Sequence, residues 1–332
     1  MKNNSLDHRF CIAPMMDWTD RHDRYFLRLI SKRARLYTEM VTTGALLHGD
    51  VDRHLRFDVA EQPVALQLGG SEPENLAKSA RLGEQWGYDE INLNCGCPSP
   101  RVQRGAFGAC LMLESQLVAD CVKAMQDAVS VPVTVKCRIG VDDTEDYAFL
   151  RHFTETLVAA GCETLIVHAR KAWLKGLSPK QNREIPPLRY ELVHQLKAEF
   201  PELTVVTNGG LRSLEAAERE LTHVDGVMLG REAYENPWLL AEVDQRLFGE
   251  PPNPQTREDA LRALFPYIEQ ELAAGTRLSH ITRHLMGLYK GEVGGKQFRR
   301  TLTEQAREPD AGLHTLEAAL EVVAEARARS AA

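Results

Sequence analysis

A chain of 332 residues with 43% hydrophobic and 26% charged residues has the composition of a globular protein with room for one barrel-sized domain and an appendage. Its formal net charge of −7 excludes a molecule basic throughout, although local basic patches can still meet phosphate. No apolar run is long enough to cross a bilayer and the opening MKNNSLDHRF lacks the apolar stretch of a signal peptide, so a cytosolic protein is expected.

Strand-like apolar stretches, each followed by a polar turn and in most cases a helical pattern, recur eight times along the chain. They are Phe10 to Met15, Leu36 to Met40, Val64 to Leu68, the run from Ile91, Val133 to Cys137, Thr164 to His168, Leu203 to Thr207 and Val224 to Leu229. Glu72 to Trp86 and Leu117 to Val129 carry apolar residues at helical spacing between them. This alternation predicts an α/β fold, a (β/α)8 TIM barrel. An open doubly wound sheet is the competing fold, but Pro14-Met15-Met16-Asp17 stands where its glycine-rich turn would be. The proline cluster from Phe248 to Pro254 ends the alternation, and Arg257 to Ala273, His280 to Tyr289 and Leu313 to Ala328 read as helices. The expectation is a catalytic barrel over residues 1–247 and a small all-helical domain over 248–332.

The most informative stretch is Ile91 to Pro100, INLNCGCPSP, where strand alternation stops at a turn bearing Cys97. Strand ends of a barrel converge on one face, which makes this thiol a candidate acid or nucleophile, although a lone cysteine is more often a small buried hydrophobe. Cys95 lies two places earlier and, by the period of two, on the same side. The seven cysteines are odd in number and form no paired C-x-x-C, so reduced thiols are expected, with no disulfide framework and no structural metal.

Other strand ends supply Pro14, Met15 and Met16, Gln67, Lys136 and His168. Alone, Lys136 reads as a solvated lysine at a strand end and His168 as a histidine satisfied by a local backbone group. A charge and an imidazole at successive ends of apolar strands are costly, and together suggest an electron-rich ligand. Asn208-Gly209-Gly210 and Gly230-Arg231 follow the last two strands, where barrels commonly hold a phosphate on bare backbone amides and a guanidinium. Phosphate site, lysine, amide and thiol together describe a pocket for FMN, with Lys136 stabilising the charge that reduced flavin develops.

These residues resemble the tRNA-dihydrouridine synthase family, most closely its A branch. The resemblance is carried by APMMDWTDRHDRYFLR, LYTEMVTTGALLHGD, PVALQLGGSEPE, GYDEINLNCGCPSPRVQRGAFGACLM, VPVTVKCRIGVDD, HARKAWLKGLSPKQNREIPPL, NGG and DGVMLGREAYENPW, in that order over roughly residues 9 to 245, with a further match from His280 to Arg300. It implies an FMN enzyme that takes electrons from NADPH and reduces the C5–C6 bond of uridines 20 and 20a in the tRNA D-loop, with hydride to C6 and a proton from Cys97 to C5. It also implies that Pro14, Met15, Met16, Gln67, Lys136 and His168 line or bond the flavin, and that Asn208, Gly209, Gly210, Gly230 and Arg231 hold its phosphate. A thiol of ordinary acidity, pKa about 8.5, is mostly protonated near neutral pH and suits the acid role.

The target uracil would have to be swung out of its loop. Asn94 and the basic loop containing Lys171, Lys175, Lys180 and Arg183 are expected to meet tRNA, as are Arg299 and Arg300 of the tail. A monomer is expected. The alternatives are a flavin barrel acting on a free pyrimidine, of dihydroorotate type, and an RNA-binding barrel without chemistry.

Overall fold

The computed structural model describes residues 7–144, 146–251, 254 and 256–331, and of residue 101 only the backbone. Residues 1–6, part of the stretch read for a signal peptide, and Pro252 and Asn253 of the proline cluster lie outside the described residues. The chain forms two compact units, one of residues to Asp17 and Arg35–Gly230, the other of Trp18–Ala34 and the chain from Arg231 onward. The boundary expected at 247/248 falls inside the second unit, because residues 231–247 and the helix Arg21–Ile30 pack with the C-terminal helices.

The first unit is a ring of parallel strands: β1 (Phe10–Ile12), β2 (Leu36–Tyr37), β3 (Val41–Thr42), β4 (Val64–Gly69), β5 (Glu90–Cys95), β6 (Val133–Arg138), β7 (Thr164–His168), β8 (Thr204–Asn208) and β9 (Gly226–Leu229). Their order is β1-β9-β8-β7-β6-β5-β4-β2, and a parallel bridge between Cys11 and Arg35 joins β1 to the chain entering β2. The ring is thus the TIM-barrel arrangement read from the alternation. Of the expected second strand, Leu36 to Met40, only β2 forms; β3 lies just beyond Met40, and both pair with β4.

Strand residues of one parity fill the barrel and the others face the helices. Cys11, Ala13, Tyr37, Ala65, Ile166, Val206 and Met228 form a buried cluster inside the ring. Outside it, the helix Pro73–Gln85 lies so close to the sheet that a Cβ at Gly83 would stand 2.7 Å from both Ile91 Cδ1 and Leu66 Cδ2. Only glycine allows that approach.

In the second unit, Asp20 caps Arg21–Ile30 by accepting from the backbone N–H of His22 and Asp23. The forked Arg21 guanidinium grips Glu271 at 2.5 and 2.6 Å, and Trp18 stacks on Tyr234 at 4.4 Å. The expected helix Arg257 to Ala273 is two, Arg257–Ala263 and Phe265–Ala273, with Pro266 in the first turn of the second. The helix expected from His280 to Tyr289 does not form: the helix is Leu278–Thr282, turns follow, and Gly295–Gln305 forms the next helix. Gly291 and Gly294, at φ +80° and +86°, turn the chain between them. Among the described residues no helix is long and apolar enough to span a membrane, and no group of three or more His, Cys, Asp or Glu could hold a metal ion.

Candidate active site

Cys97 lies in the turn after β5 and is half-buried. Asn94 makes that turn: its Oδ1 accepts the backbone N–H of Gly96 at 3.1 Å and of Cys97 at 3.0 Å. The Cys97 carbonyl in turn accepts from Ala109 N–H at 2.9 Å, and a Cβ at Gly108 would stand 2.6 Å from it, so this close passage needs a glycine at φ +79°.

Cys95 does not share the side of Cys97. Asn92 and Asn94 point into the barrel, while Ile91, Leu93 and Cys95 face the helices, and the strand ends before a second alternation can bring residue 97 to that layer. Cys95 is fully buried near Cys121, Cys137 and Cys162, and burial pushes its thiol well above the usual range. It has no access to a mouth.

Lys136, on β6, is half-buried and donates to Asn208 Oδ1 at 3.0 Å. Among the described residues no carboxylate pairs with it. Burial and then neighbouring Arg138 bring its pKa down to about 8. Asn208 holds this lysine from β8 while its own Nδ2 donates to Met228 carbonyl at 2.8 Å, so its side chain works inside the barrel and not only at the phosphate turn. His168, at the end of β7, is kept neutral: burial, then Arg138 and Lys136, hold its pKa well below the ordinary value. Cys97 lies within electrostatic reach of both Lys136 and Arg138.

Gly209 and Gly210 adopt φ +107° and +73°. A Cβ at Gly209 would stand 2.4 Å from His168 Cδ2, and one at Gly210 2.4 Å from Leu188 Cδ1, while Tyr190 OH donates to Gly209 carbonyl at 2.6 Å. A Cβ at Gly230 would meet Ala13 Cβ and Met15 Sδ at ordinary contact distance, each at 3.8 Å. The first unit therefore brings Met15 together with Gly230, and Lys136 and His168 with Asn208 and Gly209. Pro14 is half-buried and Met16 exposed. Arg231, next after Gly230, opens the helix Arg231–Glu235 of the second unit.

Three residues escaped the sequence reading. Arg138, 3% exposed, donates from Nε to Gly96 carbonyl at 2.9 Å and from Nη1 to the carbonyls of Lys171 and Asn182, both at 3.0 Å. It ties the Cys97 turn to the loop after β7. Its position two places past Lys136 on one strand was the available signal. Asn182, fully buried, organises that loop by bonding both the N–H and the carbonyl of Trp173. Asn92 bonds Gln67 inside the barrel, where Gln67 is 1% exposed. Lys171 lies over the Trp173 ring at 4.2 Å, and Lys175, Lys180 and Arg183 are exposed. Arg299 and Arg300 are exposed on the helix Gly295–Gln305 of the second unit.

Comparison with known proteins decides the family. Residues 11–325 match the family described as Dihydrouridine synthase (Dus). The chain belongs to the dihydrouridine synthase family. It is 60% identical over 321 residues to the tRNA-dihydrouridine(20/20a) synthase of Salmonella typhimurium, covering 96% of each chain. It is 59% identical over 320 residues to the protein of that name from Escherichia coli K12, covering 96% of this chain and 92% of the other. With that of Shewanella oneidensis the identity is 56% over 328 residues, covering 97% and 98%. Dihydrouridine synthases are flavin-dependent, and the residues of the first unit fit such a group. Gly209 and Gly210 hold their backbone at positive φ beside His168, and Lys136 offers a positive charge that no described carboxylate neutralises.

Proposed function

We propose that this protein is a tRNA-dihydrouridine(20/20a) synthase that binds FMN, takes its electrons from NADPH and saturates the C5–C6 bond of D-loop uridines. The observation that carries the reading is the half-buried Cys97, held on a fixed turn within electrostatic reach of an unneutralised Lys136, in a chain about 60% identical to enzymes of that name.

Met15, Gln67, Lys136 and His168 would hold the flavin ring and ribityl chain, and the Gly209, Gly210 and Gly230 backbone its phosphate. When bound, reduced flavin supplies the hydride equivalent for C6. Cys97 gives its proton to C5 of the uracil, and the turn made by Asn94 keeps its sulfur at one place while the ring is presented. Lys136 favours negative charge arising nearby, and neutral His168 can donate or accept without adding to the local positive field.

The basic loop holding Lys171, Lys175, Lys180 and Arg183 meets the tRNA backbone, which explains how a chain of net charge −7 binds a polyanion. Exposed Arg299 and Arg300 offer the second unit the same partner. Mass spectrometry of tRNA from cells lacking the protein tests the reading. Nucleosides 20 and 20a should each be lighter by two hydrogen atoms than in the parent strain, and unchanged masses there would remove the assignment.

A further inference from the structure

A line of side-chain hydrogen bonds runs through the barrel from the first residue of β5 to the turn beyond its last. Glu90, fully buried, accepts at Oε1 from Tyr37 OH at 2.8 Å and from Thr134 OH at 2.5 Å. Thr134 Oγ1 accepts from Asn92 Nδ2 at 2.8 Å, Asn92 Oδ1 from Gln67 Nε2 at 2.8 Å, and Gln67 Oε1 from Asn94 Nδ2 at 2.8 Å. Asn94 Oδ1 then accepts the N–H groups of Gly96 and Cys97.

The direction of this line is set at both ends. A carboxylate can only accept, so Thr134 must donate downward and accept from Asn92, and each amide above must follow the same sense. At the other end two backbone N–H groups can only donate. One turned amide would set two donors face to face in a buried site, at the cost of an unmade hydrogen bond. Glu90 stays ionised, as an acceptor at the foot of the line must. Burial opposes its charge, but His8 at 2.8 Å and Arg35 at 3.6 Å hold its pKa below the usual carboxylate range. None of Glu90, Thr134 or Asn92 stands at a strand end where chemistry is assembled.

We propose that Glu90 is a positioning residue for the reaction: acting through Thr134 and Asn92, its carboxylate fixes which way the Gln67 and Asn94 amides face. Gln67 is thereby fixed to present its second N–H hydrogen, not its carbonyl, on the Nε2 side, and the Cys97 turn keeps its acceptor. This rests on the reading of Gln67 as a flavin contact and of Cys97 as the acid. Glu90→Gln would reverse the lower end. Arg35 draws the new carbonyl toward itself, leaving the new NH2 to face Thr134 and Tyr37, so the Thr134 hydroxyl can no longer donate downward.

Thr134→Val removes the hydroxyl and keeps the shape, and Thr134→Ser keeps the hydroxyl. The flavin-loaded proteins are compared for FMN dissociation constant, flavin absorption spectrum and rate of Cys97 alkylation by iodoacetamide, read by peptide mass, with cooperative melting as the check of folding. Thr134→Val is expected to weaken FMN binding about tenfold, the effect of one or two ordinary hydrogen bonds, to shift the spectrum and to change the alkylation rate severalfold, with Thr134→Ser restoring all three. Wild-type values in Thr134→Val, or failure of Thr134→Ser to restore them, would overturn the proposal. Glu90→Gln carries the same comparison if Thr134→Val does not fold. The functional reading fails separately, through a wild-type protein without flavin or a Cys97→Ala protein with full turnover. The alkylation comparison still judges the hold on the turn in either case.

Discussion

Lys136 Nζ lies 3.0 Å from Asn208 Oδ1, a neutral acceptor, while burial, and after it cationic Arg138, lowers the lysine's pKa. A cation so placed is satisfied in geometry but not in charge. Two opposite pH effects are expected from it. Above about 8 the folded protein has released this proton, whereas the unfolded chain keeps it up to the ordinary 10.5, so the stability of the flavin-free protein should rise with pH across that window. FMN affinity should fall over the same range, as the positive charge that receives the anion is lost. Urea unfolding and FMN titration at stepped pH check both, and Lys136→Met should flatten both profiles.

Cys97→Ala should keep the fold and flavin binding, since the side chain is half-buried and the turn is held by backbone and Asn94. Loss of the proton donor should lower turnover on tRNA by about 10²- to 10⁴-fold, with tRNA binding little changed. Single-turnover reduction of tRNA by the pre-reduced enzyme measures the first and filter binding the second. Wild-type turnover would move the acid elsewhere.

Gly209→Ala meets two penalties. The residue sits at φ +107°, and the new Cβ would stand 2.4 Å from His168 Cδ2. A loss of about 1–3 kcal/mol is expected from the backbone alone, with displacement of His168 and weaker FMN binding beside it. Gly249→Ala, at φ +69° with nothing within 4 Å, should cost about 1 kcal/mol and leave flavin binding intact. Equal effects of the two on FMN affinity would speak against a flavin role for the turn.

Arg138→Lys should destabilise by about 2 kcal/mol, because an ammonium cannot span three carbonyls on two separate segments as the fork does. The freed segments are the Cys97 turn and the loop around residues 171–182. Trypsin cleavage within that loop should accelerate relative to cleavage elsewhere, and uniform rates would remove Arg138 as its tie.

Lys175→Glu with Lys180→Glu alters two exposed charges without touching the barrel. Weaker tRNA binding is expected, together with a fall of about 2 in the slope of log affinity against log salt. An unchanged slope would place the tRNA elsewhere.

The eightfold alternation, the thiol in its turn, Lys136, His168 and the glycine pairs were all visible in the chain, because strand period, turn residues and costly charges in apolar strands are local signals. The side of the sheet taken by Cys95 was not, since the period of two holds only while the strand continues and β5 ends at that residue. Nor was the split at Pro266 legible against the helical pattern around it. The course of the chain between Thr282 and Gly295 depended on glycines at positive φ, which a helix-period count does not register.

Sequence by itself determined the barrel and the family and supplied the candidate residues for the chemistry, because these rest on composition, spacing and motif. Only tertiary structure decided which of them stand together. Arg138 reaches three carbonyls far apart in the chain, and Glu90 orients amides on β4 and β5 through a hydroxyl on β6. The direction of a hydrogen bond depends on what stands opposite, and that partner is chosen by the closing of the ring.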